Sequence, residues 1–206
     1  MGDEAVVVRR REDGATELRV NGVFVMDDVE TSSERLLAEH VLDDGAREVL
    51  VGGLGLGYTA RALLDGGATR VVVAELHPEV VRAVADGAGA GPFDDDRLSV
   101  VVGDVADVVT AQPPAGLDAI CLDVDNGPDF LVHPANAALY ETPMIERCAR
   151  ALRDDGVLAI WSMADSAPLR TALAGRFEHV EAAAVPVRLQ GRDERYWVLS
   201  GRRPRR

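Results

Sequence analysis

The chain has 206 residues, 47% of them hydrophobic, which is enough for one substantial core and too little for two full domains. Its formal net charge is −13 and all 22 basic residues are arginine. That excludes a lysine Schiff base and a P-loop lysine, disfavours a nucleic-acid partner, and mildly favours a cationic substrate. No apolar run reaches the ~20 residues that span a bilayer, and the opening M-G-D-E is acidic rather than signal-like. Cys121 and Cys148 lack metal-ligand or redox spacing. The expectation is a cytoplasmic protein with core thiols, no metal and no membrane contact.

Residues Ala5 to Met26 read as short strands separated by Asp13-Gly14 and Asn21-Gly22, the strongest local hairpin signals. A β-meander over 1–28, packed on the main body, is expected. Thr31-Ser32-Ser33 offers cap chemistry before the periodic Leu36, Leu37, His40 and Val41, so a helix follows, with His40 as a packed, hydrogen-bonded residue.

Val49 to Val51 then runs into Gly52, Gly53, Gly55 and Gly57, followed by Ala60, Leu63 and Leu64 on one helical face. Strand, tight turn and helix N-terminus in succession let a ligand lie against bare backbone, and the first helical turn offers unpaired amides. The ligand is nucleotide-like.

Apolar strands and helices alternate from here. The strands are Arg70 to Ala74, Leu98 to Val102, Leu117 to Leu122 and Val157 to Trp161. Helices are expected over Pro78 to Ala85, Asn136 to Leu152 and Pro168 to Leu173. His179 to Val187 and Tyr196 to Leu199 form an edge hairpin turning at Gln190 to Glu194, and the tail at 202–206 is disordered. This is an α/β, Rossmann-like, doubly wound and mostly parallel seven-stranded sheet over 29–201.

Ligands of such sheets bind beyond the carboxyl ends of the strands. The glycine turn, Glu75, Asp104 and Asp123 all fall there. An acid at Glu75 accepts from ribose hydroxyls, a pattern shared by nicotinamide, flavin and S-adenosylmethionine binders, and Asp104 suits the amino group of adenine. The stretch from Leu122 to Asn136 combines Asp123, Asp125, Asn126 and Asp129 with Phe130, Leu131 and Val132, like a lid over a substrate. A carboxylate pair there holds an ammonium group and takes its proton. For Asp125, Asn126 and Asp129 plain turn chemistry is the competing reading.

Four segments, V-L-V-G-G-L-G-L-G at 49–57, V-V-V-A-E-L-H-P-E-V-V at 71–81, V-V-G-D-V at 101–105 and D-A-I-C-L-D-V-D-N-G-P at 118–128, together with L-R-V-N-G-V-F-V-M at 18–26, resemble the spermidine/spermine synthase (aminopropyltransferase) group of the class I S-adenosylmethionine-dependent methyltransferase fold. The resemblance implies a donor site of Gly53, Gly55, Gly57, Glu75, Leu76, Asp104 and Val105, with Asp123 and Asp125 handling the attacking amine. It also implies S-adenosylmethionine or its decarboxylated form as cofactor, a small cationic amine as substrate and a possible homodimer. The chain departs from the group in lacking the aspartate of its glycine loop and the Tyr-His pair near the first helix, and in shortening D-S-S-D-P-x-G-P to D-V-D-N-G-P. Three readings follow: aminopropyl transfer to an amine, methyl transfer to a small molecule, and a binding module with a vestigial site. A nicotinamide dehydrogenase is disfavoured because the acid-rich stretch offers no hydride-transfer partner.

Overall fold

The computed structural model describes residues 5–131, 133–189 and 192–206; M-G-D-E, Val132 of the expected lid, and Gln190 and Gly191 of the expected edge turn lie outside the described residues. Strands β1 (Val6–Arg10), β2 (Thr16–Val20) and β3 (Val23–Asp27) form an antiparallel sheet of three. Asn21 and Gly22, at φ 53° and 78°, make the left-handed two-residue turn that matches strand twist. Leu18 and Val20 are buried, and Leu18 joins one of the two main hydrophobic clusters, so the small sheet packs on the body.

The main sheet has seven strands: β4 (Glu48–Gly52), β5 (Arg70–Glu75), β6 (Leu98–Val102), β7 (Leu117–Leu122), β8 (Leu152–Ser162), β9 (Phe177–Leu189) and β10 (Arg192–Pro204). Their order is β6-β5-β4-β7-β8-β10-β9, with the first five parallel and β10 antiparallel to both neighbours. Side chains alternate across β4: Val49 and Val51 enter one cluster and Leu50 the other. On the first face Leu37, Leu63 and Val80 come from helices α1 (Ser32–Leu42), α2 (Tyr58–Asp65) and α3 (Pro78–Ala85). On the other, Val109, Ile145 and Leu169 come from α4 (Val105–Thr110), α5 (Thr142–Ala151) and α6 (Ala167–Ala174). Cys121 and Cys148 are buried thiols within these layers. Among the described residues no helix is long and apolar enough to cross a membrane.

Three expectations change. The helix expected over Asn136 to Leu152 is a 3₁₀ turn, Pro134–Tyr140, followed by α5. Pro143 lies in the first turn of α5, where its missing N–H costs nothing; in a helix continuing from Asn136 its ring would meet the carbonyl four residues back, so the chain breaks at Glu141, which is extended at ψ 158° and caps the new helix. Helix α4 is additional; Val105, Val108 and Val109 have helical spacing, but six residues are too few for the period to stand out in the sequence. The tail expected to be disordered is strand through Pro204, which pairs with Phe177. Beyond it Arg205 donates to the Phe177 carbonyl at 3.0 Å and Arg206 pairs with Asp154 at 2.6 Å.

Arg202 ties the sheet edge to α1. Its guanidinium reaches Asp44 (2.6 Å), Glu181 (2.9 Å), the Ser200 hydroxyl (3.1 Å) and His40 Nε2 (2.9 Å). Because Arg202 donates to Nε2, His40 is neutral there, and burial followed by the guanidinium charge lowers its pKa. Arg202→Met should cost about 1–3 kcal/mol in urea unfolding and raise the His40 pKa, readable by proton NMR titration of the imidazole.

Candidate functional site

The parallel strands β4, β5, β6 and β7 end on one side of the sheet, and the chain reverses direction of winding at β4. That is the place where open α/β sheets accept ligands. Gly53, at φ 88°, donates its N–H to the Ala74 carbonyl at 2.8 Å, and a Cβ there would lie 2.2 Å from the Asp123 carbonyl oxygen. The loop is thus wedged between the ends of β5 and β7 with no room for a side chain. Gly55 (φ 52°) faces Met26, and Gly57 (φ 88°) begins α2 with the Phe93 ring where its Cβ would be.

Glu75 is buried at the end of β5. One carboxylate oxygen accepts the Leu54 N–H at 2.8 Å; the other accepts the His77 N–H at 2.8 Å and faces His77 Nδ1 at 3.1 Å. It therefore fixes the glycine loop from the neighbouring strand. Asp104 caps α4, its Oδ1 accepting the Ala106 N–H at 2.8 Å. Exposed Leu76 and buried Val105 stand beside these acids. Gly53, Gly55, Glu75, Leu76, Asp104, Val105, Asp123 and Asp125 line a single cleft with about 790 Å³ of empty space, open water included. Gly57 sits behind it, at the helix start.

Asp123 closes the cleft at the end of β7. Its backbone N–H donates to the Gly52 carbonyl (2.8 Å), and its Oδ2 accepts the Thr59 hydroxyl (2.7 Å). Burial pushes the carboxyl up to about 6. Asp125 adopts φ 54° and accepts the His133 N–H at 3.0 Å, while Tyr140 donates to the Val124 carbonyl at 2.8 Å. The segment behind Asp123 is therefore folded onto the body, with Leu131 packed inward and Phe130 and Asp129 exposed.

A second cleft adjoins the first, with Val25 in the walls of both. Its charged walls are Asp27, Glu30 and Glu34, and its aromatic corner is Trp161 against Tyr196, ring centroids 4.7 Å apart and tilted by 59°. Asn126 also lines it, away from Asp125 in the first cleft. Burial, then the Asp123 charge, raises the Glu34 carboxyl to about 7. Sequence reasoning missed this cleft. Its signals were the acids spaced 27, 30 and 34 ahead of the glycine loop, and an aromatic at the end of β8, a strand-end position like that of Asp123.

Comparison with known proteins bears on the fold. No family model matches the chain. It is 36% identical over 163 residues to polyamine aminopropyltransferases of Mycobacterium tuberculosis and Mycobacterium bovis, covering 76% of this chain and 30% of theirs. It is also 41% identical over 81 residues to spermine synthase of Arabidopsis thaliana, covering 39% of this chain and 21% of that one. The chain thus spans less than a third of the length of the curated relatives it matches. A spermidine synthase crystallised with the transition-state analogue AdoDATO superposes with a TM-score of 0.79 at 18% identity, covering 98% of this chain and 71% of that one. The spermidine synthase of Thermotoga maritima gives 0.76 at 16%, over 98% and 70%. The fold is that of the spermidine synthases. It is the methyltransferase-like α/β architecture, with a seven-stranded, mostly parallel sheet and a small antiparallel sheet before it.

Two outcomes follow for this site. Gly53→Ala places a Cβ against the Asp123 carbonyl in a left-handed backbone, and should destabilise by at least about 2 kcal/mol. Gly67→Ala, also left-handed at φ 91° but facing open space, should cost about 1 kcal/mol; paired urea titrations compare the two. Asp123 binds its proton more tightly folded than unfolded. Its contribution to stability is therefore present at low pH and lost as pH rises from the ordinary carboxylate range through about 6. Asp123→Asn removes that loss, so it should raise the melting temperature at pH 8 and leave it nearly unchanged at pH 4. Allowing for partial exposure, the gain is on the order of 1–2 kcal/mol.

Proposed function

We propose that this chain transfers an aminopropyl group from decarboxylated S-adenosylmethionine to a small amine. The observation carrying this reading is the charge of the walls: every Asp, Glu, Lys or Arg lining either cleft is a carboxylate, with His77 and His133 the other titratable groups besides Tyr196. The carboxylate of S-adenosylmethionine itself would meet like charge with no arginine to receive it, whereas the decarboxylated donor presents an ammonium end. A like-charge contact near 4 Å is worth about 4 kcal/mol at a protein surface, enough to decide between donors. Curated relatives named polyamine aminopropyltransferase support the same choice.

In this reading the walls divide the work. Glu75 receives the ribose hydroxyls while keeping the loop in place, Asp104 receives the adenine amino group, and Leu76 and Val105 flank the base. Gly53, Gly55 and Gly57 admit the donor to bare backbone. The donor supplies an electrophilic carbon on a sulfonium. The protein must therefore align an amine and remove a proton, and alignment alone is worth about 7–11 kcal/mol. The second cleft suits the amine, since carboxylates beside Trp161 and Tyr196 favour a cation over the ring faces. Asp123, in the wall of the first cleft and electrostatically coupled to Glu34 in the second, takes the proton, with Asp125 supporting the loop that carries it.

Calorimetric titration with both donors tests the assignment. The decarboxylated form should bind at least about tenfold tighter. Preference for the carboxylated form, with methyl transfer to an amine, would overturn it. Asp123→Asn should lower transfer to 1,4-diaminobutane by at least about a hundredfold while donor affinity stays within a few-fold.

A further inference from the structure

The three carboxylates of the second cleft differ in how the chain engages them. Asp27 accepts the Val29 and Glu30 N–H groups on Oδ1, at 3.0 and 3.4 Å, and Arg11 on Oδ2 at 2.8 Å. Glu30 accepts the Ser32 N–H (2.9 Å) and hydroxyl on Oε1, and the Arg188 N–H at 3.4 Å on Oε2. Glu34 accepts the Ser33 hydroxyl on Oε2 at 2.8 Å and is also held by its own backbone N–H, with no other residue bonding its Oε1 among the described residues. On the other side of the shared wall, Asp123 is held through one oxygen, by Thr59 of α2. Each carboxylate is oriented by a hydroxyl and keeps an oxygen that no other residue bonds among the described residues.

We propose that Glu34 and Asp123 act as one carboxylate pair, receiving the acceptor as an ammonium ion and retaining the proton that it gives up on attack. This rests on the aminopropyltransferase reading above. The Asp123 charge raises the Glu34 carboxyl after burial has done so, as expected for like charges sharing a region of low dielectric. The surroundings sharpen the repulsion. Glu30 and Asp27 approach from the segment before α1, Tyr58 from α2, Tyr196 with Glu194 from β10, and Asp125 with Tyr140 from the stretch after β7. Arg11 on Asp27, and Arg35 over the Tyr58 ring at 5.9 Å, are cations beside these groups. A substrate ammonium relieves the pair directly.

The step balances. A carboxylate takes one N–H proton of the ammonium, and the freed lone pair forms the C–N bond to the carbon on sulfur. The C–S bond breaks with its electrons going to sulfur, leaving a neutral thioether and a secondary ammonium. The carboxylic acid then returns its proton to water.

Carbon-13 NMR titration of the side-chain carboxyls tests the pairing with or without turnover. In wild type the Glu34 and Asp123 titrations should be coupled, and 1,4-diaminobutane should lower both midpoints. Glu34→Gln should lower the Asp123 midpoint by about one pH unit. It should also move the acid limb of kcat/KM to lower pH and raise the KM for 1,4-diaminobutane about tenfold, with donor affinity unchanged. Glu34→Asp, which keeps the charge, should preserve the coupling. An Asp123 titration identical in wild type and Glu34→Gln, or midpoints indifferent to diamine, overturns the pair. Coupled titrations in a wild-type protein that transfers nothing support the pair and count against the assigned reaction alone.

Discussion

The site depends on the backbone passage at Gly53. Three strand ends converge there: the loop leaves β4, donates to the end of β5, and presses on the carbonyl that ends β7. Only a residue without Cβ and at home at positive φ fits the gap. Because the passage is so narrow, the height of the glycine loop and that of Asp123 are set together. Glu75 adds a second restraint by holding the Leu54 amide from the adjacent strand. The proposed donor cradle and proton acceptor are therefore parts of one rigid arrangement, and Glu75, proposed to touch the ribose, also keeps the loop in shape.

Charge is the second constraint. Several carboxylates of this acidic chain are paired with arginine: Glu17 lies buried between Arg9 and Arg19, and Asp95 is held well down by Arg97 beside it. Asp123 and Glu34 are instead drawn up toward neutrality, both by burial and Glu34 also by the Asp123 charge. A fold optimised for its own stability would place arginines beside them or remove them. Their persistence in a lysine-free cleft makes sense when the missing cation arrives with the substrate, so stability is given up where binding needs it.

The alternation of apolar strands and helices was plain in the sequence, because buried parallel strands such as Val71–Ala74 and Leu117–Leu122 announce themselves as continuous apolar runs. The helix around Asn136 was misread because alanine-rich composition hides the effect of Pro143 on its neighbours. The arginine tail reads as disordered by charge alone; its pairing partners at Phe177 and Asp154 are remote in sequence. The site divides the same way. Strand-end residues Glu75, Asp104 and Asp123 follow from the topology and were legible. Glu34, Trp161 and Tyr196 come from a helix, a strand end and an edge hairpin that meet only in the folded chain, so no local pattern joins them.

The glycine loop shows how such long-range placement can reassign a function. Resemblance to the aminopropyltransferase group leads one to expect an aspartate in this loop, and the chain has none. A side chain built on Gly55 would come within 2.7 Å of the Met26 sulfur, which itself accepts the Leu56 N–H at 3.2 Å. Met26 of β3 thus fills the space that a side chain at Gly55 would need, and the loop hydrogen-bonds to it. Met26 also lines the second cleft, beside Glu34. In the proposed reaction, negative charge lost from the loop is available across that wall, on the first helix, and the burden of holding cations shifts from donor cradle to acceptor cleft.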